Sequence, residues 1–355
     1  MKTETFDVLV CGLGPAGSRA AWAAARRGAR VLAIDRRHRI GSPVQCAELV
    51  PALLRQEAAA LAHAVAQPIA AMHTYVDDEA CDVTPDFPGA MIDRAAFDSA
   101  LAKAARDAGA QCSCGVALVA LAPDGIAHLS DGRAIQAQVV IGADGPRSRI
   151  GRAVGRVNRD LTEARQVTVA LHTPHFATDI FLSHSTPGGY AWLFPKGSVA
   201  HIGAGVMSAE SRRLPAIVAA LHQRLAAQGR VGRDVLCRTG GAIPGGGLLD
   251  PVAKLNDAHV LLAGDAAGLA NPVTGAGIAA AVQSGAMAGE AAADRLQGKA
   301  RALEDYRTDV QALFGPALER AVQRRRTLLD AHRTRRLTRA AQRRGWIAYP
   351  EYWAA

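Results

Sequence analysis

Short apolar runs, glycine turns and alanine-rich stretches alternate through the first 165 residues of this 355-residue chain. Phe6 to Val10 is apolar and rich in β-branched residues, which predicts a buried strand. Ser18 to Arg27 reads as an alanine-rich helix that stops at Gly28, a common residue just past a helix end. Arg30 to Ile34 is a second strand, and Ala95 to Asp107 a second helix. Gly115 to Leu121, Ile126 to Leu129 and Ala134 to Gln136 predict a three-stranded meander, punctuated by the Asp124-Gly125 and Asp131-Gly132 turns. Val139 to Ile141 and Ala258 to Leu262 are further buried strands, and Ile278 to Arg295 is a helix of small residues.

Between these blocks the pattern changes. Gln166 to Leu171, Ile180 to Leu182, Tyr190 to Phe194 and Val199 to Val206 predict an antiparallel sheet. Ser211 to Gln228 reads as a helix and Gly240 to Gly247 as a glycine-rich loop. The whole predicts an α/β protein: a Rossmann-like nucleotide-binding lobe with a β-meander, an antiparallel-sheet substrate lobe and a helical C-terminal arm. The nucleotide lobe is expected to be discontinuous, over residues 1–45, 93–165 and 255–300. The substrate lobe takes 46–92 and 166–254, and the arm takes 301–355.

Three segments carry the chemistry. After the first strand come Gly12, Gly14 and Gly17 at GxGxxG spacing, with Pro15 and Ala16 between. Gly12 allows the tight turn, Gly14 lets the backbone approach a pyrophosphate, and Gly17 lets the helix pack on the strand. The helix N-terminus adds unpaired N–H groups and partial positive charge. Asp35, 18 residues past Gly17, ends the second strand where a carboxylate can accept from ribose hydroxyls. It favours FAD or NAD over NADP; the adjoining Arg36 and Arg37 soften that choice, and Arg36 joins the nucleotide-binding set. The second segment, Gly142-Ala-Asp144-Gly145, places an acid at a strand end. The third places Gly264-Asp265 at another, followed by Gly275-Ala276-Gly277 at the head of the small-residue helix. That helix aims its positive end at an anion developing on a reduced flavin. Together, in this order, the segments point to FAD.

At these residues the chain resembles the glutathione-reductase-like FAD oxidoreductases, and within them the group of para-hydroxybenzoate hydroxylase and geranylgeranyl reductase. Three further strings resemble the geranylgeranyl reductase family: Gly41-Ser-Pro-Val-Gln-Cys46-Ala-Glu48, Asp93-Arg94-Ala-Ala-Phe97-Asp98 and Tyr190-Ala-Trp192-Leu-Phe194-Pro195-Lys196-Gly197. The likeness spans residues 5 to 310. It implies that Gly12, Gly14, Gly17 and Asp35 hold the ADP part of FAD, Asp144 the pyrophosphate and ribityl region, and Gly264 and Asp265 the ribityl hydroxyls. It also brings Arg94 to the FAD phosphate or ribityl region and Cys46 beside the flavin ring.

The activity this implies is reduction of isoprenoid carbon–carbon double bonds. An isolated alkene must gain a proton as well as a hydride, so a donor is needed in a dry pocket. Cys46 is the candidate, with a small core cysteine as the alternative. Tyr190, Trp192 and Phe194 are expected to wall the pocket, and His184 and His201 read as structural. The rival activity is a monooxygenase or halogenase acting on an aromatic small molecule or peptide residue. A non-catalytic FAD-binding partner protein is the rival from another class. The substrate is apolar or aromatic. No second GxGxxG unit appears, so electrons are expected from an external donor such as NAD(P)H or a ferredoxin-like protein.

Charge adds one localised feature. The net charge is +9, and Arg320 to Arg344 alone holds ten arginines against Asp330, so the remaining residues balance. Either this arm docks on anionic lipid or an acidic protein, or its leucines pack on the body behind a solvated face. No nucleic-acid module accompanies it. The six cysteines follow neither zinc nor disulfide spacing, and no metal is expected. No apolar run of spanning length and no leader pattern occur, so the expected location is cytoplasmic, free or peripheral at a membrane.

Overall fold

The computed structural model describes residues 3–51, 54 and 63–354. Residues 52, 53 and 55–62, which fall in the expected substrate segment 46–92, lie outside the described residues.

The chain opens with β1 (Thr3–Cys11), whose Val8, Leu9 and Val10 are fully buried, and α1 (Pro15–Arg26), whose first residue is a proline that sacrifices no helical N–H bond. Next come β2 (Val31–Asp35), β3 (Leu49–Pro51), β4 (Val65–Ile69), β5 (Ala71–Val76), β6 (Asp82–Thr84) and β7 (Gly89–Ile92). Then α2 (Arg94–Asp107), capped by the Asp93 side chain on the Ala96 N–H, leads to β8 (Gln111–Cys114), β9 (Leu118–Leu121), β10 (Ala127–Leu129) and β11 (Ala134–Gly142). A short α3 (Arg149–Ala153) precedes β12 (Leu161–Leu171), β13 (Ala177–Leu182), β14 (Ala191–Lys196) and β15 (Val199–Met207). The rest is α4 (Leu214–Ala227), β16 (Val231–Pro244), β17 (Val252–Leu255), β18 (Ala258–Leu262), α5 (Ile278–Leu296), α6 (Ala302–Arg333), α7 (Arg339–Arg344) and α8 (Pro350–Trp353).

The first sheet runs β17-β18-β11-β1-β2-β8 and is parallel except at β17. Chain order reverses between β1 and β11, and open α/β sheets bind ligands at such a switch point. β9 and β10 branch antiparallel from the start of β11. Ala134–Gln136 and Val139–Ile141, expected as separate strands, are one nine-residue strand. Its polar residues Gln136 and Gln138 alternate onto the exposed side, so they do not interrupt it.

The second sheet runs β16-β12-β15-β14-β13-β5-β6, antiparallel except where β13 meets β5. Two expectations need correction here. Gly240 to Pro244 is the end of β16, not a loop: Gly240 lies against β12, where an added Cβ would stand 2.4 Å from the Ala164 carbonyl oxygen. The predicted helix from Ser211 starts at Leu214, after a 3₁₀ turn over Ser208–Arg213. On one face of this sheet Leu221 and Leu225 of α4 pack against Leu193, Ile202 and Val206. The other face carries Met72, Ile180, Trp192 and Phe194, packed with Trp346 and Tyr352 of the C-terminal arm. β3, β7 and β4 form a small third sheet.

The arm is therefore bound to the body. Arg325, only 2% exposed, reaches Asp160 at 2.5 Å and the Gly188 carbonyl at 3.2 Å. Arg343 pairs with Glu79 at 2.5 Å and Asp82 at 3.0 Å, and Tyr349 Oη donates to Asp82 at 2.7 Å. Arg326, Arg333, Arg335, Arg336 and Arg344 remain exposed. Among the described residues no helix is long and apolar enough to cross a membrane.

Candidate active site

At the switch point, β1 ends in the Gly12–Gly17 turn. A Cβ on Gly12 would stand 2.3 Å from the Ala143 carbonyl oxygen, and one on Gly17 1.8 Å from that of Gly12. These two glycines allow the turn, α1 and the end of β11 to interlock. Gly14 differs: a Cβ there would meet nothing within 4 Å, so its backbone borders open space, as a pyrophosphate requires. Asp35 accepts the Leu13 N–H at 2.9 Å and the Arg37 N–H at 2.8 Å, which ties the glycine turn to β2. Arg36 is exposed beside it. Asp144 spends its carboxylate on Ser148 Oγ at 2.5 Å and the Arg149 N–H at 2.7 Å, holding the start of α3.

The Gly264–Gly277 loop reaches the same place by a packing device. Cβ atoms on Gly285 and Gly289 of α5 would lie 2.1 and 2.2 Å from the carbonyl oxygens of Ala16 and Ala20 on α1. The small residues of α5 thus bring two helix backbones into contact, which sets the loop over the first turn of α1. Ser284 Oγ accepts the Gly264 N–H at 3.0 Å, and Gly264 adopts φ +58°. Burial pushes the Asp265 carboxyl up to about 6, opposed by the Arg94 charge. Its side chain has no hydrogen-bond partner among the described residues. Gly275 takes φ +72°, Ala276 donates to Thr274 Oγ1 at 3.2 Å, and Gly277 caps α5. An open glycine backbone at one end and a half-buried acid without a hydrogen-bond partner among the described residues at the other fit the phosphates and hydroxyls of FAD.

The three additional strings converge on Glu48. This residue is 4% exposed and holds φ +67°, a left-handed conformation unusual for a glutamate. Its Oε1 accepts the Arg94 N–H at 2.9 Å; its Oε2 accepts Lys196 Nζ at 2.7 Å and faces His201 Nε2 at 2.8 Å. Burial alone would raise its pKa, but the hydrogen bonds from His201, Arg94 and Lys196 prevail and hold it at about 2. His201 is fixed in turn by Thr168 Oγ1 at 3.0 Å. Arg94 makes a two-point contact with Asp98 at 2.9 and 3.0 Å, and the Cys46 sulfur lies near its charge. The Glu48 N–H also points at that sulfur, 3.2 Å away. Cys46 packs against the apolar cluster that includes Phe97 and Ile278, the latter being the first residue of α5, just after Gly275–Gly277.

Across that loop stands the aromatic face. Tyr190 Oη donates to the Thr274 carbonyl at 2.7 Å, and burial pushes its phenol well up. Trp192 lies between Tyr190 and Phe194, with centroids 5.5 and 5.9 Å away, and Gly203 makes room for its indole. Its Nε1–H is buried without a partner among the described residues. His184 faces Asp77 at 3.3 Å and the Leu337 carbonyl at 2.9 Å, tying the arm down. The His73, His175 and Asp179 group is near enough to hold a cation, but Arg230 already takes the second oxygen of Asp179. That group lies on the sheet face covered by α4.

Sequence reasoning placed Glu48, Lys196 and Arg94 in separate strings and did not foresee that one carboxylate joins them. The available signal was a buried-type acid two residues after Cys46, with a lysine ending an otherwise apolar string.

A parallel sheet with a glycine turn at its switch point serves many nucleotides; a second sheet set against that edge narrows the class to FAD-dependent oxidoreductases. Residues 7–168 match the family of FAD dependent oxidoreductases, and residues 161–242 match the geranylgeranyl reductase catalytic domain. The chain is 33% identical to digeranylgeranylglycerophospholipid reductase 2 of Methanopyrus kandleri, over 89% of this chain and 85% of that protein. It therefore belongs to the geranylgeranyl reductase family of FAD-dependent oxidoreductases. The geranylgeranyl bacteriochlorophyll reductase-like protein of Thermoplasma acidophilum superposes with TM-score 0.83 at 25% identity, covering 98% of this chain and 92% of that one. PqsL of Pseudomonas aeruginosa, in complex with 2-aminobenzoylacetate, superposes with TM-score 0.71 at 23% identity, over 95% and 99% of the two chains, which shows the fold alone. The reductive reading thus stands ahead of the oxygenating and non-catalytic ones.

Proposed function

We propose that this enzyme reduces carbon–carbon double bonds in an isoprenoid chain, in keeping with the lipid named for its Methanopyrus kandleri relative. The observation that carries this reading is the pairing across the Gly275–Gly277 loop. Cys46 packs against the cluster that includes Ile278 at the head of α5, and Tyr190, bonded to Thr274, begins an apolar aromatic face. A proton donor and a dry wall are what saturation of an alkene demands.

Bound FAD supplies the hydride. Gly12, Gly14, Pro15, Ala16 and Gly17 cradle its pyrophosphate on the N-terminus of α1. Asp35 and Arg36 take the adenosine end, Asp144 braces the strand edge beside the phosphates, and Gly264 and Asp265 take the ribityl hydroxyls. Gly275, Ala276 and Gly277 direct the positive end of α5 at the ring. Cys46 holds the proton for the second carbon at Sγ, aligned by the Glu48 N–H. Tyr190, Trp192 and Phe194 exclude water from the alkene. The FAD lobe comprises residues 1–45, 93–165 and 255–300; 46–92 and 166–254 form the substrate lobe, and 301–355 the arm. The electron donor is external, NAD(P)H or a ferredoxin-like protein. The exposed arginines of the arm rest on anionic lipid, from which an isoprenoid substrate is drawn.

Chemically reduced holoenzyme mixed with a geranylgeranyl lipid in the absence of oxygen tests the reading. A mass gain of two hydrogens per double bond, with reoxidation of the flavin, is expected. Unchanged lipid and a flavin that stays reduced would remove isoprenoids as the substrate class.

A further inference from the structure

On the sheet face turned away from Trp192 and Phe194, three metal-ligating side chains converge. His73 of β5 and Asp179 of β13 are register partners on adjacent parallel strands, and His175 lies in the turn just before β13. Asp179 Oδ1 is the point they share. His73 Nδ1 stands 3.4 Å from it and His175 Nε2 2.8 Å, and the three atoms lie within 4.8 Å of one another. The Asp179 side chain is fully buried, whereas the imidazoles keep 27% and 22% of their surface open, so an ion can enter from the histidine side.

The group is fixed by its surroundings. Burial works to raise the Asp179 pKa, but the hydrogen bond from His175 and the charge of Arg230 prevail and hold it below its ordinary value. Arg230 takes Oδ2 only, which leaves Oδ1 to the two histidines. Such an outer partner orients a ligating carboxylate. The turn is pinned as well: the His175 carbonyl accepts from Gln67 Nε2 at 2.6 Å, and the Phe176 carbonyl accepts the Ala70 N–H at 2.9 Å. Two imidazole nitrogens and one carboxylate oxygen suit zinc. Ligand atoms held tetrahedrally at about 2.0–2.1 Å from the ion stand about 3.3 Å apart. The His73 distance already matches, and the His175 distance need open by only about half an ångström.

We propose that His73, His175 and Asp179 bind a zinc ion, with water at the fourth position. The ion staples β5 to β13 and to the turn before it. Arg230 offsets the charge of the carboxylate, so the ion exchanges with solution. The site lies across the sheet from the aromatic wall, and the inference does not rest on the reductase reading.

Calorimetric titration of zinc into chelator-treated, FAD-loaded protein tests this, with wild type, His73→Ala and His175→Ala compared. Wild type is expected to bind about one zinc per chain, and either variant to bind it more than about tenfold more weakly while keeping its flavin. Zinc should also raise the Tm of wild type and leave those of the variants unmoved, because an ion that binds only the folded chain stabilises it. His175→Ala, in a turn outside the strands, keeps the test open should His73→Ala lose its fold. Wild type that binds no zinc would overturn the proposal, and so would zinc bound equally well by the variants, which would place it on other residues such as the cysteines.

Discussion

Lys196 Nζ stands 2.7 Å from Glu48 Oε2, and this pair joins the substrate sheet to the segment that carries Cys46. Lys196 ends β14, the strand of Trp192 and Phe194, while the other Glu48 oxygen holds the first N–H of α2. One carboxylate thus sets the distance between the aromatic wall, the proposed donor and Arg94. Removing its charge leaves a lysine and a histidine facing a neutral group in a buried place. Glu48→Gln is expected to cost about 3 kcal/mol in urea unfolding.

The same residue defines an acid limit. Its folded pKa of about 2 lies below its ordinary 4.5, so its ionised form stabilises the fold fully above pH 4.5. That contribution fades as pH falls from there toward 2. The stability gap between wild type and Glu48→Gln should be constant at neutral pH and close progressively below 4.5. A gap independent of pH down to 3 would show that the carboxylate is not the source.

Asp265 behaves in the opposite sense. Its carboxyl is raised to about 6 from an ordinary 3.8, so the protonated form is the favoured one when no ligand donates to it. Apoprotein should be most stable below pH 3.8 as far as this group is concerned, and lose that contribution as pH rises through 6. Asp265→Asn should flatten this part of the profile and weaken FAD retention, read as the flavin absorbance that survives gel filtration.

Gly285 and Gly289 admit a sharper test. A valine at either position would drive its side chain into the backbone of α1, which cannot yield without moving the glycine turn. Gly289→Val is expected to cost about 3 kcal/mol and to lower flavin content in purified protein. Gly298, where an added Cβ meets nothing within 4 Å, is the control position, though its φ of +89° adds local strain.

The clamp on the arm is electrostatic and partly exposed, hence weak. Arg343→Ala removes the contacts with Glu79 and Asp82 and is expected to cost no more than about 1 kcal/mol globally. Its effect should be local: faster proteolysis between residues 334 and 354 and stronger dependence of that rate on salt. Equal cleavage rates in wild type and variant would place the hold on contacts other than Arg343, such as the packing of Trp346 and Tyr352.

The nucleotide turn was legible in sequence because its constraints are local. Gly12, Gly14 and Gly17 sit within one turn, and Asp35 follows after a helix of ordinary length. The antiparallel sheet was legible through the strands from Gln166 to Val206, though Gly240 looked like a loop because close strand approach and turn formation use the same residue. The role of Glu48 was not legible. Its partners lie 46, 148 and 153 positions away, and no local pattern encodes a contact at that separation. Packing of the arm on the body was one of two readings the sequence left open, and its contacts were hidden for a related reason: Arg325 is buried and Arg343 is matched by acids some 260 residues earlier.

Trp346 and Tyr352 leave the ribosome well after the loops assigned here to FAD, which are complete by Gly277. During synthesis the sheet face bearing Trp192 and Phe194 stays open while the cofactor loops are already made. Flavin loading can therefore precede closure, and a chain cut before Trp346 would keep its cofactor loops and leave its apolar face bare, a product suited to aggregation rather than turnover.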